Sequence, residues 1–286
     1  MTAPGGGRGS LDLPYFDDLF GRSRDSPVAR AFQRHVHWGY FASPDAPDVS
    51  DEGFLAAAAA MTERMALASG VRDGLRILDV GCGFGGTIAH LNERLVDCRL
   101  VGLNIDERQL VRARELTPAG QGNGVEFVAG DACAMPFDDG AFEAVLAVEC
   151  IFHFPSRRAF FGEARRVLRA GGTLTVSDFV VDDARLDEMN AWIDGNASAR
   201  GTFYGSSTAA ISSGTYAHMA RVKGFDVIAD DDITAATMPT YPVLRRLYGE
   251  AGIPDAVKTV GFLEEMSRRG FFQYRILSFR AQDSIP

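Results

Sequence analysis

The stretch Ile77-Leu78-Asp79-Val80-Gly81-Cys82-Gly83-Phe84-Gly85-Gly86 constrains the fold of this chain more than any other. It reads as a buried strand that runs into a glycine-rich turn and then a helix. Glycines at 81, 83 and 86 satisfy G-x-G-x-x-G, a pattern in which small residues permit the tight turn and let backbone approach a nucleoside ligand. Asp79 narrows the pattern. Two residues before the first glycine, nicotinamide-binding strands carry a plain apolar residue. A carboxylate there accepts hydrogen bonds from the turn's own amides or from a cationic amino-acid ligand, and it disfavours a pyrophosphate.

From Leu75 onward strand and helix patterns alternate: 75–80, 87–95, 98–103, 107–116, 125–129, 142–148, 157–168 and 172–179. Such alternation specifies an α/β protein with a parallel sheet and helices on both faces. Late strand candidates follow at 225–229 and 273–279. Ligands of open α/β sheets bind outside the carboxyl ends of the strands. Asn104, Asp131, Glu149, His153 and Asp178 are therefore candidate site residues.

The charge balance argues in the same direction. A net charge of -9 leaves no general basic footprint for a phosphate backbone, so nucleic acid is not an expected partner. Cysteines 82, 98, 133 and 150 have no C-x-x-C spacing and are expected to be free thiols in a reducing compartment. With no apolar run of membrane length, a cytoplasmic protein is expected.

These motifs resemble those of the class I S-adenosylmethionine (SAM)-dependent methyltransferases, whose first motif D-x-G-x-G-x-G corresponds to Asp79 to Gly85. Leu100 to Asp106 is similar to that family's second strand, Phe127 to Ala132 to its third, and Leu168 to Thr173 to the turn before its fifth. The resemblance implies a Rossmann-like, seven-stranded, mostly parallel sheet whose last strand inserts antiparallel. It implies SAM as cofactor, with His37, Asp79, Gly81, Cys82, Gly83, Asn104, Ile105, Gln109, Asp131, Ala132 and Glu149 around it. Asn104 stands where the commonest version has an acid for the ribose, a departure shared by the branch that contains the rebeccamycin sugar O-methyltransferase and the mycolic acid cyclopropane synthases. Asp131-Ala132 resembles the adenine-binding pair. Glu149 to Pro155 resembles that branch's E-x-x-x-H-x-P segment, which implies His153 as general base, with Asp178 orienting it or holding an acceptor hydroxyl. Histidine suits the task, because its ordinary pKa of about 6.5 lets it accept a proton near neutrality.

The remaining segments frame this core. Residues 1–12 are Gly-rich and polar and are expected to be disordered. Tyr15 to His37 reads as two helices, residues 51–69 as a third, and residues 1–70 as an N-terminal helical cap on a core spanning 71–286. His37-Trp38-Gly39-Tyr40-Phe41 is read either as a hydrophobic anchor or as a lid over the cofactor. Segments 182–207 and 232–268 are read as lid insertions, with Tyr204, Met238, Tyr241 and Leu244 expected to line the pocket of a small, apolar secondary-metabolite acceptor. Asp178, Asp182 and Asp183 are not read as a metal site, because the latter two suit a helix start. O-methylation is favoured, and C- or N-methylation, a non-methylating cyclase on the same fold, and homo-oligomerisation are left open.

Overall fold

The computed structural model describes residues 13–117, 120, 122–199, 201–205 and 207–283. The Gly-rich lead at 1–12 lies outside these residues. Strands β1 (Arg76–Val80), β2 (Arg99–Asn104), β3 (Gly124–Ala129), β4 (Phe142–Val148), β5 (Leu168–Val181), β6 (Phe225–Asp232) and β7 (Phe272–Ala281) form one seven-stranded sheet in the order β3-β2-β1-β4-β5-β7-β6. The first five are parallel, and β7 runs antiparallel between β5 and β6. The order reverses at β1, so the strand bearing Asp79 lies at the topological switch point, where open sheets bind ligands.

Alternation along each strand divides the core into two layers. Ile77, Leu100, Leu146 and Ile276 face one side and pack on helices α3 (Asp51–Ser69), α4 (Gly86–Arg94) and α5 (Glu107–Leu116). Leu78, Val101, Val145 and Leu277 face the other, against α6 (Arg157–Val167) and α8 (Ser213–Val222). Helix α3 begins where the Ser50 hydroxyl accepts from the Gly53 amide and ends at Gly70, which takes the left-handed conformation of a C-cap.

Two N-terminal helices form, α1 (Pro14–Gly21) and α2 (Pro27–Ala31), each with proline in its first turn. The second stops earlier than its apolar spacing predicts. Phe32 packs on Phe54 and Tyr248, while His35 and His37 both reach the Thr62 hydroxyl on α3. These anchors hold the chain from Phe32 to His37 in turns and bends rather than helix. The C-terminal half adds α7 (Leu186–Gly195), the short α9 (Thr234–Thr237), α10 (Thr240–Glu250) and α11 (Pro254–Arg268). Among the described residues no helix is long and apolar enough to cross a membrane, and all four cysteines are free.

Candidate active site

Two adjoining cavities open at the carboxyl edge of the sheet. The first, about 90 Å³, is walled by the turn after β1, the ends of β2, β3 and β4, and the chain from Arg34 to His37. It gathers every residue expected around the cofactor: His37, Asp79, Gly81, Cys82, Gly83, Asn104, Ile105, Gln109, Asp131, Ala132 and Glu149. Gly81 and Gly83 both have positive φ, at 71° and 54°. A Cβ on Gly81 would lie 2.8 Å from Cys150, so the turn is tight behind, whereas one on Gly83 would project into open space. The bare backbone of Gly83 thus forms the cradle itself.

Asp79 is only 2% exposed, and its Oδ2 has no hydrogen-bond partner among the described residues. Burial raises its pKa to about 8, against a smaller opposing effect of the Thr87 hydroxyl. An orphaned acceptor at the floor of a glycine cradle fits a ligand that brings its own cation. Opposite, the Asn104 amide donates to Gln109 Oε1 at 2.8 Å, so the two are held as one unit. The Asp131 carboxylate lines the cleft and also caps its own turn, accepting from the Cys133 amide at 2.8 Å. His37 contributes wall rather than a hydrogen bond. Its Nδ1 meets the Trp38 carbonyl and its Nε2 the Thr62 hydroxyl, and burial lowers its pKa to about 4. Arg34 also lines the cleft, and its Nε finds no hydrogen-bond partner among the described residues.

The second cavity is larger, about 460 Å³, within the range of drug-sized ligands. Leu19, Phe32, Trp38, Phe179, Tyr204 and Phe262 give it a largely apolar wall. Five residues line both cavities: Tyr15, Val36, His37, Glu149 and His153. His153 ends a 3-10 turn at Ile151–His153, with its ring stacked on Tyr15 and its Nε2 3.5 Å from the Tyr15 hydroxyl. Glu149, at φ 49°, accepts on Oε2 from the Trp38 amide at 2.7 Å and the Tyr274 hydroxyl at 2.5 Å. Burial raises its pKa to about 8. The aromatic segment His37 to Phe41 is therefore both anchor and wall: Phe41 and Tyr40 amides bond Ala236 and Ala57 carbonyls, while Trp38 closes the second cavity.

Two expectations are corrected. Asp178 does not reach His153. Its Oδ2 takes Arg157 at 3.0 Å and the Tyr216 hydroxyl at 2.5 Å, and its Oδ1 takes the Phe179 amide. Burial pushes the carboxyl up against the pull of these partners. Arg157 in turn holds Thr208 Oγ1 and the Ala209 carbonyl, so this buried pair fastens β5, α8 and the cavity wall at 207–210 together. Asp178 lines the second cavity as part of that brace. Of the expected acceptor-lining residues only Tyr204 lies on the cavity; Tyr241 and Leu244 are buried behind Trp38, and Met238 packs on the same cluster. The apolar stripe of α10 faces the core, and its Tyr241 hydroxyl is bonded to Ser267. The lining from segment 232–268 comes instead from Tyr248 and from Phe262, Leu263 and Met266 on α11. Asp182 caps a 3-10 turn and Asp183 accepts from Ser212; among the described residues no group of His, Cys, Asp or Glu could hold a metal ion.

Comparison with known proteins settles the family. A methyltransferase named GfsG from Streptomyces halstedii is 31% identical over 250 residues, which are 84% of this chain and 86% of that one. The chain belongs to the SAM-dependent methyltransferases. A model described as a methyltransferase domain matches residues 78–176 of it. Similar folds are those of the [4+2]-cyclase SpnF (TM-score 0.71, 20% identity, 95% and 92% of the two chains) and of geranyl diphosphate C-methyltransferase from Streptomyces coelicolor A3(2) (TM-score 0.68, 19%, 95% and 99%). The latter was solved with S-adenosyl-L-homocysteine (SAH). At such identities the likeness concerns the fold alone. The methyltransferase takes SAM as its cofactor.

Sequence reasoning missed Tyr15, Arg34, Arg157, Tyr216 and Tyr274. Tyr15 sat outside the apolar stripe read for α1. Arg157 falls in a segment that reads as an ordinary helix, Tyr216 in a stretch with no regular pattern, and Tyr274 reaches Glu149 only because β7 inserts beside β5.

Proposed function

We propose that this methyltransferase methylates a hydroxyl of a small, apolar natural-product acceptor, with His153 as the base. The supporting observation is the position of His153 on the boundary between the two cavities, where a proton must leave as the methyl arrives. SAM supplies the activated methyl group. Asp79 and Arg34 are placed for the ammonium and carboxylate of its amino-acid end, Asn104 and Gln109 for its ribose, and Asp131 with Ala132 for its adenine. Methyl transfer is an in-line displacement that needs positioning and exclusion of water more than covalent help. The aromatic walls around Tyr15, Trp38 and Tyr204 do that work, with the described part of residues 1–70 as a cap anchored through α3 and the described parts of segments 182–207 and 232–268 as a lid.

His153 suits an oxygen acceptor, because a hydroxyl must lose its proton whereas an amine attacks as a free base. The Asp178–Arg157 pair holds the wall rather than relaying a proton. An extract of the producing cell, incubated with the protein and methyl-labelled SAM, should yield a labelled product by mass spectrometry that resists N-demethylation and carries an O-methyl signal. A label on carbon would overturn the hydroxyl assignment. Conversion of a metabolite with no label would favour a cyclase.

A further inference from the structure

We propose that Glu149 is the counter-ion of the cofactor's sulfonium, so that the cleft distinguishes charged SAM from its neutral product SAH. The sulfonium must sit where the cofactor cleft meets the acceptor cavity, since its methyl crosses from one to the other. Of the five residues lining both, Glu149 is the one carboxylate. It is half-buried, and its remaining surface belongs to the two cavities it lines. Its hydrogen bonds come from the neutral Trp38 amide and Tyr274 hydroxyl, and it forms no ion pair among the described residues. A carboxylate withdrawn from water without a cation is costly. Asp79 presents the same anomaly in the same cleft. The cofactor carries two cations, an ammonium and a sulfonium; beside Asp131, whose carboxylate caps its own turn, the cleft holds two carboxylates without an ion pair among the described residues. Asp79 answers the ammonium, which SAM and SAH share; Glu149 answers the charge that the reaction removes.

This pairing gives the cleft a direction. Once the methyl has left, SAH leaves Glu149 without its cation, and the cost of that unpaired charge favours exchange for fresh SAM. Ionisation of Glu149 controls the effect, because burial holds its carboxyl up near 8. Below that pH the group is protonated and a sulfonium must displace the proton. Above it the carboxylate is ready-made. The SAM to SAH affinity ratio should therefore rise with pH through neutrality and level off above about 8. The titratable groups around it are Tyr15 from α1, His37 before α3, His153 from the 3-10 turn, Asp178 from β5, Tyr204 from the loop after α7, Tyr241 and Tyr248 from α10, and Tyr274 from β7. The tyrosines are all pushed above 10 and the His37 pKa lies near 4, so these do not titrate in that window. Asp79 does, but its partner is common to both ligands and cancels from the ratio; an imidazole ordinarily titrates there too, and a contribution from His153 would persist in Glu149→Gln, which separates the two.

Calorimetric titration of the full chain with SAM, with SAH and with sinefungin, which replaces the sulfonium by an amine, tests the proposal without any acceptor. Wild type should bind SAM and sinefungin more tightly than SAH by about tenfold at pH 9 and less at pH 6. Glu149→Gln should bring the ratio towards one at both pH values while SAH affinity holds or improves. Equal losses for all three ligands, or a wild-type ratio that is flat from pH 6 to 9, would overturn it. Retained SAH binding reports that the variant is folded, and the wild-type pH series stands if it is not. Because no acceptor is used, failure here leaves the hydroxyl-methylation reading untouched, and failure of that reading leaves this one.

Discussion

Replacing Asp79 by Asn should make the ligand-free protein more stable while weakening its hold on the cofactor. The native carboxyl titrates near 8 against an ordinary value of 3.8, because burial penalises the ion and the Thr87 hydroxyl offsets little of it. A raised native pKa in a carboxyl means stability that is full below the unfolded pKa and declines as pH rises to the native one. At pH 7 the unfolded chain is ionised there and the native one is still mostly protonated, a penalty of about 4 kcal/mol at about 1.4 kcal/mol per pH unit. Asn never ionises, but it brings an amide N–H₂ to the place where Oδ2 already lacks a partner, at a cost of about 1–3 kcal/mol. The net gain is about 1–3 kcal/mol at pH 7, or several degrees in melting temperature for a chain of this length. Below pH 4 the gain vanishes or reverses. Thermal melts of both proteins at pH 4, 7 and 8.5, each with and without saturating SAH, measure it. SAH affinity should fall by about tenfold to a hundredfold, as a lost hydrogen bond to a charged group implies. A variant that is less stable than wild type by the same margin at every pH would refute the reasoning, since Asp79 would then be a satisfied structural residue.

Gly83→Val should abolish SAM and SAH binding, because its side chain would fill the cradle and its φ of 54° strains any β-branched residue; calorimetry reads it directly. His153→Ala should lower turnover of the true acceptor by about a hundredfold or more, as loss of a general base does, with SAM affinity nearly unchanged. Full activity across neutral pH would remove the base assignment. Asp178→Asn should show mainly as lost stability, by up to about 3–5 kcal/mol in denaturant unfolding, because it leaves the Arg157 guanidinium buried without its anion. A change in the pH profile of turnover without loss of stability would instead restore Asp178 to the proton path.

The cofactor half of the site was legible because backbone geometry makes it. Strand ends, glycines and the residues one step beyond them fall at fixed places in an open sheet, so Asp79, Asn104, Asp131 and Glu149 meet without any help from distant packing. The acceptor half has no such register. Tyr204 lines the cavity from a loop, whereas Tyr241 and Leu244, large apolar residues on α10, point the other way. Which face of α10 meets the cavity depends on how α10 packs against α11, and nothing in the local pattern encodes that. Asp178 illustrates the same limit. Its position on β5 was foreseen, while its partner was decided by Arg157, a cation that a surface-helix pattern would send to solvent.

The N-terminal segment joins the two halves into one site. Phe16 and Phe20 of α1 pack edge-on against Phe84, a residue of the glycine turn, and Arg112 of α5 covers the same ring at 4.8 Å. On its other flank α1 presents Tyr15 to His153 and Leu19 to the acceptor cavity. The same helix thus rests on the cofactor's cradle and forms a wall for the acceptor. Farther along, the Trp38 amide fixes the Glu149 carboxylate while the Trp38 ring closes the acceptor cavity. A disturbance of the glycine turn therefore reaches the acceptor wall through Phe84 and α1, and a disturbance at Glu149 reaches it through Trp38. Cofactor and acceptor cavities share walls rather than merely adjoin, so a substitution at Phe84 or Trp38 should be felt in both.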